Sequence, residues 1–76
     1  MGDPPKPGGY LYRELLARAV RDNGVIVQVL DDMLDAPSER ALARLVSKGA
    51  LAVADQRDAL ARMREIWQEY RGRGFA

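Results

Sequence analysis

The apolar residues in the first third of the chain recur at helical spacing. Between about Tyr10 and Asp22 they fall three or four residues apart, and the charged residues lie mostly on the other side. The apolar positions are Leu11, Leu15, Leu16, Ala19 and Val20. Asn23-Gly24 follows, and such a pair commonly ends a helix because it accepts left-handed backbone angles. The pattern predicts a first helix over residues 10–22.

The next segment, residues 25–35, combines strand-forming residue types with helical spacing. The valines and the isoleucine at its start favour a strand. However, its apolar and polar residues form two interlocking stripes of helical period, and no other segment offers a partner strand. The apolar stripe is Val25, Ile26, Val29, Leu30, Met33 and Leu34, and the polar stripe is Gln28, Asp31, Asp32 and Asp35. We therefore predict a second helix over residues 25–35, which ends before Pro37.

A third helix is predicted to begin at Ser38, whose hydroxyl suits the N-cap position, with Glu39 at the positive end of the helix dipole. It would span residues 38–48 and end at Gly49, since glycine is a common C-terminal stop. One alternative stays open. Glycine costs only about 1 kcal/mol inside a helix, so a continuous helix from Ser38 could pass through Gly49.

The fourth and longest predicted helix spans residues 50–71. Alternating spacings of three and four residues mark a heptad seam, the pattern by which helices pack side by side. The predicted seam consists of Val53, Gln56, Leu60, Met63, Trp67 and Tyr70, and Ala59 and Ile66 widen it on one side. Gly72 and Gly74 then end the helix.

Together these elements predict an all-α fold, a compact bundle of four helices. Residues 1–9 contain three prolines and three glycines, so they are expected to form a flexible N-terminal arm. Residues 10–72 are expected to form a single helical domain, and residues 73–76 a short tail.

Composition argues against an enzyme. The chain has no Cys and no His, the residues on which most nucleophilic, acid–base and transition-metal sites depend. No glycine-rich loop follows a strand, so we expect no cofactor and no small-molecule substrate. The acidic cluster of Asp31, Asp32 and Asp35 could hold Mg²⁺ or Ca²⁺. It lacks the glycine-containing loop of the usual calcium sites, so we interpret it as a solvated helix face.

Charge and hydropathy are those of a globular domain. The net charge is +1 and 47% of the residues are hydrophobic. No apolar run is long enough to span a membrane and no signal peptide is evident, so the cytoplasm is the expected compartment. Ten arginines against two lysines indicate a GC-rich bacterial or phage genome.

Basic residues in the second half of the chain make nucleic-acid binding an alternative function. They form one stripe on the third predicted helix and a second stripe on the fourth, with one further residue beyond it. These residues are Arg40, Arg44 and Lys48, then Arg57, Arg64 and Arg71, and finally Arg73. The low net charge is unlike that of a dedicated DNA-binding domain.

The end of the fourth predicted helix is typical of a protein-interaction surface, because Trp, Tyr, Met and Arg are enriched at interfaces. The candidate partner-binding residues are Met63, Arg64, Trp67, Tyr70 and Arg71. The same stripe could also be ordinary core. A chain this short rarely buries four amphipathic helices by itself, so a homo-oligomer is expected as well. The sequence thus predicts a non-enzymatic protein–protein interaction module, such as a small regulator, inhibitor or adaptor.

Overall fold

The computed structural model describes residues 4–74 and consists of two long helices. Helix α1 spans Tyr10–Leu34 and helix α2 spans Glu39–Gly72. They run antiparallel, because Tyr12 near the start of α1 is hydrogen-bonded to Trp67 near the end of α2. The result is an elongated helical hairpin with principal extents of 54 × 22 × 17 Å.

A short turn, residues 35–38, joins the helices. The N–H of Asp35 bonds back into the last turn of α1 at 3.2 Å. Pro37 disfavours helical backbone angles in the residue before it, so α1 cannot continue. The Oγ of Ser38 accepts a hydrogen bond from the N–H of Ala41 at 3.1 Å, which satisfies a free donor in the first turn of α2. The predicted break at Pro37 and the predicted N-cap at Ser38 are confirmed.

The all-α class is confirmed, but the predicted bundle of four helices is wrong. The pattern divided the chain into helices over residues 10–22, 25–35, 38–48 and 50–71. In the structure the first two segments are joined in α1 and the last two in α2. The two glycines predicted to be helix stops therefore lie inside helices, each for its own physical reason.

Gly24 is an interior residue of α1. Among residues 4–74, the positive φ that marks a glycine stop occurs only at Gly8 and Gly74. A glycine inside a helix costs about 1 kcal/mol relative to alanine. Ala19 and Val29, buried on either side of Gly24, pack against α2 and keep α1 continuous despite this cost.

Gly49 is an interior residue of α2 that faces α1. A Cβ at this position would lie 3.2 Å from Cγ1 of Val29. The missing side chain makes room for Val29, which is only 2% exposed. The alternative of one continuous helix through Gly49 is confirmed.

The core is a narrow seam between the two helices, and its side chains recur three or four residues apart. On α2 the seam passes through Ala52, Ala59 and Ile66, of which the last two are 0% exposed. Contrary to the prediction, it does not pass through Val53, Leu60 and Trp67. The small alanines allow the helix backbones to approach closely. The buried members are Leu15, Ala19, Val29, Ala52, Ala59, Met63 and Ile66. Half-buried residues in the same register are Tyr12, Asp22, Ile26, Met33, Ala41, Leu45, Gly49, Gln56 and Tyr70.

In the part of the chain that the structure describes, no helix combines the length and apolarity needed to cross a membrane. Of the predicted arm, the structure describes residues 4–9, where the N–H of Gly9 donates to the carbonyl of Lys6 at 3.0 Å. The remainder of the predicted arm, residues 1–3, and the end of the predicted tail, residues 75–76, lie outside the described residues.

Candidate functional site on an exposed apolar face

One side of the hairpin carries two rows of exposed apolar side chains, one row on each helix. Each of them directly follows a seam residue in the sequence and is between 38% and 84% exposed. This set, the apolar face, consists of Leu16, Val20, Val27, Leu30 and Leu34 on α1, and Leu42, Val46, Val53, Leu60 and Trp67 on α2.

The antiparallel course of the helices brings both halves of the apolar face to the same side. Successive residues of an α-helix are rotated by about 100° around the helix axis. The residue that comes directly after a seam residue in the sequence therefore points sideways from the seam. A right-handed helix turns clockwise when it runs away from the viewer and anticlockwise when it approaches. Since α1 and α2 run in opposite directions and face each other, one step beyond the seam leads to the same side in both.

The opposite side of the hairpin is charged. Residues that directly precede a seam residue point to this side by the same geometry. This set, the charged face, consists of Glu14, Arg18, Arg21, Gln28 and Asp32 on α1, and Arg40, Arg44, Lys48, Asp55, Asp58, Arg62, Glu65 and Glu69 on α2. The large apolar exceptions there are Leu11, Val25 and Leu51. The whole hairpin is therefore amphipathic, with one apolar face and one charged face.

An ion pair on the charged face ties the two helices together. Nε of Arg18 donates to Oδ2 of Asp55 at 2.8 Å, and its Nη2 donates to Oδ1 at 2.7 Å. This two-pronged contact with Arg18 lowers the pKa of the Asp55 carboxyl to about 2. The pair is partly exposed, so its main effect is to set the register of the helices.

Asp22 lies in the seam beside this pair. Its carboxyl is within hydrogen-bonding reach of Asp55, and this contact raises the pKa of Asp22. Two ionised carboxylates have no proton to share, and the buried Oδ2 of Asp22 has no hydrogen-bond partner within the described residues. Ionised Asp22 is therefore poorly accommodated in the fold.

A polar pair interrupts the apolar face at mid-length. Nε2 of Gln56 donates to the backbone carbonyl of Ala19 at 3.1 Å and to Oδ1 of Asn23 at 3.5 Å. Asn23 follows the seam residue Asp22, so it occupies an apolar-face position and is exposed. The apolar face thus has a polar centre with apolar residues on both sides of it.

Trp67 anchors the open end of the apolar face. Its Nε1–H donates to Oη of Tyr12 at 3.0 Å, and its ring meets that of Tyr70 edge-on with centroids 6.2 Å apart. The guanidinium of Arg71 lies 5.9 Å from the ring centroid of Trp67, within cation–π range. Trp67 is thus held in one orientation, while 40% of its surface remains exposed.

The candidate partner-binding residues are divided between the seam and this surface. Arg64 and Arg71 follow seam residues, as does Arg57, and these three arginines lie along the outer edge of the apolar face on α2. Tyr70 is half-buried. Met63 is 7% exposed and packs in the core, so it is not part of the exposed surface.

The two basic stripes proposed for nucleic acid lie on opposite sides of the hairpin. Arg40, Arg44 and Lys48 precede seam residues and belong to the charged face, whereas the second stripe borders the apolar face. Arg73 is paired with Glu69 at 3.5 Å. Six of these seven residues lie on α2 and Arg73 caps its end, but the two stripes do not share one surface.

Sequence reasoning located the α2 end of the apolar face and missed the rest of it. The missed residues on α1 are Leu16, Val20, Val27, Leu30 and Leu34, and those on α2 include Leu42 and Val46. Their signal was a second apolar stripe displaced by one residue from the first along both helices. When the position of the other helix is not known, the two stripes on one helix cannot be told apart from a single broad hydrophobic face.

Among residues 4–74, no group of three His, Cys, Asp or Glu side chains is placed to hold a metal ion. Comparison with known proteins finds no match, whether with protein-family models, curated proteins or solved structures.

Proposed function

We propose that this chain is a non-enzymatic protein–protein interaction module that binds its partner through the apolar face. The observation that carries the proposal is the collection of ten exposed apolar side chains on one side of the hairpin, opposite a charged side. Contiguous exposed apolar patches are uncommon on monomers and mark interaction sites. Exposed residues scattered by chance would be spread over both faces.

The amount of exposed surface supports the same proposal. The chain exposes 5927 Å², whereas a compact monomer of its 8.5 kDa mass is expected to expose about 4,700 Å². The excess of roughly 1,200 Å² exceeds the approximately 800 Å² that one partner contributes to a standard interface. The hairpin therefore exposes enough additional surface to contact a partner without any change in the packing of its own seam.

Trp67 and its surroundings have the composition of an interface centre. A Trp ring with an arginine over it, at the end of an apolar stripe, is the kind of group that contributes most to binding energy. The arginine edge formed by Arg57, Arg64 and Arg71 supplies a polar rim.

Site-specific photo-crosslinking in cells tests the proposal and captures the partner in the same experiment. A photoreactive amino acid in place of Leu60, on the apolar face, is expected to form protein crosslinks, either to another protein or to a second copy. The same substitution at Leu51, which is 74% exposed on the charged face of the same helix, is the matched control. Equal crosslinking at both positions, or none at Leu60, would refute the proposal.

Nucleic-acid binding is the competing function, and the salt dependence of binding distinguishes it from protein binding. Binding that displaces counterions from phosphates weakens steeply as salt rises, whereas apolar contacts respond little. Because the two basic stripes lie on opposite sides, one duplex would contact only one stripe at a time. Micromolar duplex binding with a steep salt slope, lost on replacing Arg40, Arg44 and Lys48 by Gln, would favour the nucleic-acid function.

A further inference from the structure

We propose that the partner on the apolar face is a second copy of this chain, packed face to face with the hairpin turns at opposite ends. This inference rests on the proposed function and deepens it by naming the partner. The dimer is a four-helix bundle in which α1 packs against α1, and α2 against α2, of the other copy. A two-fold axis runs across the hairpin near Asn23 and Gln56.

The width of the apolar face favours a second hairpin as the partner that buries it. The apolar face is two helices wide, so a single partner helix would cover only part of it. A second hairpin presents an apolar surface of the same width and length, because a two-fold interface uses the same patch on both copies. Four helices packed around such a shared core form a common, stable arrangement.

Charge complementarity selects the antiparallel orientation on α1. Arg13 and Asp31 are a whole number of helical turns apart, so both lie on the outer edge of α1, flanking Val20 and Val27 of the apolar face. They are equally distant in sequence from Asp22. A two-fold axis at the level of Asp22 therefore places each Arg13 opposite Asp31 of the second copy.

The same axis pairs opposite charges on α2. Asp55 is level with Asp22, because their carboxyls are in contact across the seam. Glu39 and Arg71 are equally distant in sequence from Asp55 and lie near one edge of α2. The axis therefore brings each Glu39 opposite Arg71 of the second copy.

The parallel orientation brings like charges together. With both turns at the same end, α1 would pack on α2 of the second copy at the level it has within the hairpin, where Tyr12 meets Trp67. Arg13 would then lie beside Arg64 of the second copy, and the two positive charges would repel. The antiparallel orientation avoids this contact.

The polar centre of the apolar face fits a two-fold axis. Asn23 and Gln56 lie at the level of Asp22 and Asp55, so the polar pairs of the two copies meet at the axis. A single buried polar layer fixes the register of packed helices, since any sliding leaves amides against apolar side chains. The same axis brings Trp67 close to Leu42 of the second copy, which covers the exposed part of the indole.

The first measurement is the mass of the purified full-length chain by light scattering across a concentration series. We expect twice the 8.5 kDa of one chain, with little change between low and high salt. Emission from Trp67, the sole Trp, should shift to shorter wavelength as dimer forms. Leu60→Glu should give a folded monomer with a helical circular dichroism spectrum, and the control Leu51→Glu should stay dimeric.

Orientation is tested by disulfides, because the chain has no native cysteine. When Arg13→Cys chains are mixed with Asp31→Cys chains and oxidised, the two variants should form covalent heterodimers. A mixture of Arg13→Cys and Arg64→Cys chains, which reports the parallel orientation, should not. The reverse result would overturn the antiparallel arrangement.

The failure of this inference is distinguishable from failure of the proposed function. A purified chain that stays monomeric at high concentration, while its position 60 crosslinks to a different protein in cells, overturns the dimer and leaves the interaction module standing. A monomer that crosslinks to no protein and sediments with anionic lipid vesicles overturns both.

Discussion

Among the buried side-chain nitrogen and oxygen atoms of residues 4–74, Oδ2 of Asp22 lacks a hydrogen-bond partner. The neighbouring Asp55 raises the pKa of Asp22, so folding favours the protonated form of Asp22. A group with a raised acidic pKa contributes stability at low pH and loses it as pH rises through the folded value. At neutral pH, ionised Asp22 therefore lowers the stability of the hairpin.

Asp22→Asn is expected to raise the unfolding temperature at pH 7, because the amide carries no charge and can donate to Asp55. The gain should shrink at acid pH, below the raised pKa of Asp22, where the wild-type carboxyl is protonated. Thermal unfolding followed by circular dichroism at both pH values measures this. Asp58→Asn, which removes one charge from the charged face outside the seam, is the control. A lower unfolding temperature for Asp22→Asn at pH 7 would contradict the prediction.

Asp55 has the opposite pH dependence. Because Arg18 lowers the pKa of Asp55 to about 2, its stabilising contribution is present above the unfolded pKa near 4 and is lost as pH falls towards 2. Arg18→Met should lower the unfolding temperature at pH 7 and flatten its decline between about pH 4 and pH 2. An unchanged acid profile in the variant would show that another carboxyl controls acid unfolding.

At the scale of the helices, the two interior glycines should respond oppositely to alanine. Gly24 has open space around its Cβ position and no positive φ. Gly24→Ala should therefore stabilise the hairpin by about 0.5–1 kcal/mol through improved helix propensity. Chemical denaturation measures the change, and a loss of stability would indicate that α1 needs flexibility at this point.

Gly49→Ala should be destabilising despite the same gain in helix propensity. The new Cβ would lie 3.2 Å from Cγ1 of Val29, and Val29 is almost fully buried and cannot move aside freely. Overpacking of this kind costs about 1–3 kcal/mol, which outweighs the roughly 1 kcal/mol of propensity. Adding Val29→Ala should remove the penalty of Gly49→Ala in a double-mutant cycle. Independent, additive effects would contradict the close contact.

At the scale of the whole molecule, the structure is longer and more open than a compact domain of its length. Its radius of gyration is 16.7 Å, against about 11 Å expected for 76 residues. A hairpin buries each helix along one seam only, so much of its apolar surface stays exposed. Association that buries this exposed apolar surface is therefore expected to change the stability of the chain substantially.

Trp67→Ala should weaken association by about 2 kcal/mol or more, roughly thirtyfold in dissociation constant. The reason is that Trp67 holds the open end of the apolar face through Tyr12 and Arg71. Sedimentation equilibrium measures the change. Tyr10→Ala removes an aromatic ring that is 80% exposed and outside the apolar face, so it serves as control. Complete unfolding of Trp67→Ala would show that this tryptophan is structural.

The candidate site was partly predictable from the sequence. The exposed indole of Trp67 and the arginines that edge it follow from residue type and spacing alone. The assignment of Met63 to the same surface could not be decided, because a methionine between two apolar stripes belongs to whichever stripe meets the partner helix. Leu16 and Leu30 on α1 were not recognised for the same reason.

Local chemistry along the chain determined the helical class, the break at Pro37 and the start of α2 at Ser38. Backbone restriction by proline and the capping hydroxyl act within a few residues, so they can be read from sequence. Only the tertiary structure decided what the glycines do. Gly24 and Gly49 each have the local sequence of a helix stop. Packing of α1 against α2 nevertheless holds both residues in helical conformation.

The tertiary structure also decided which apolar stripe is core and which is exposed. Each helix has two stripes one residue apart, and the periodicity of either one allows close packing. Small residues resolve the choice: Ala59 lies in the stripe that meets α1, whereas Leu60 lies in the stripe that faces outward. Close approach of two helices depends on side-chain size across the contact, and that is a property of both helices together.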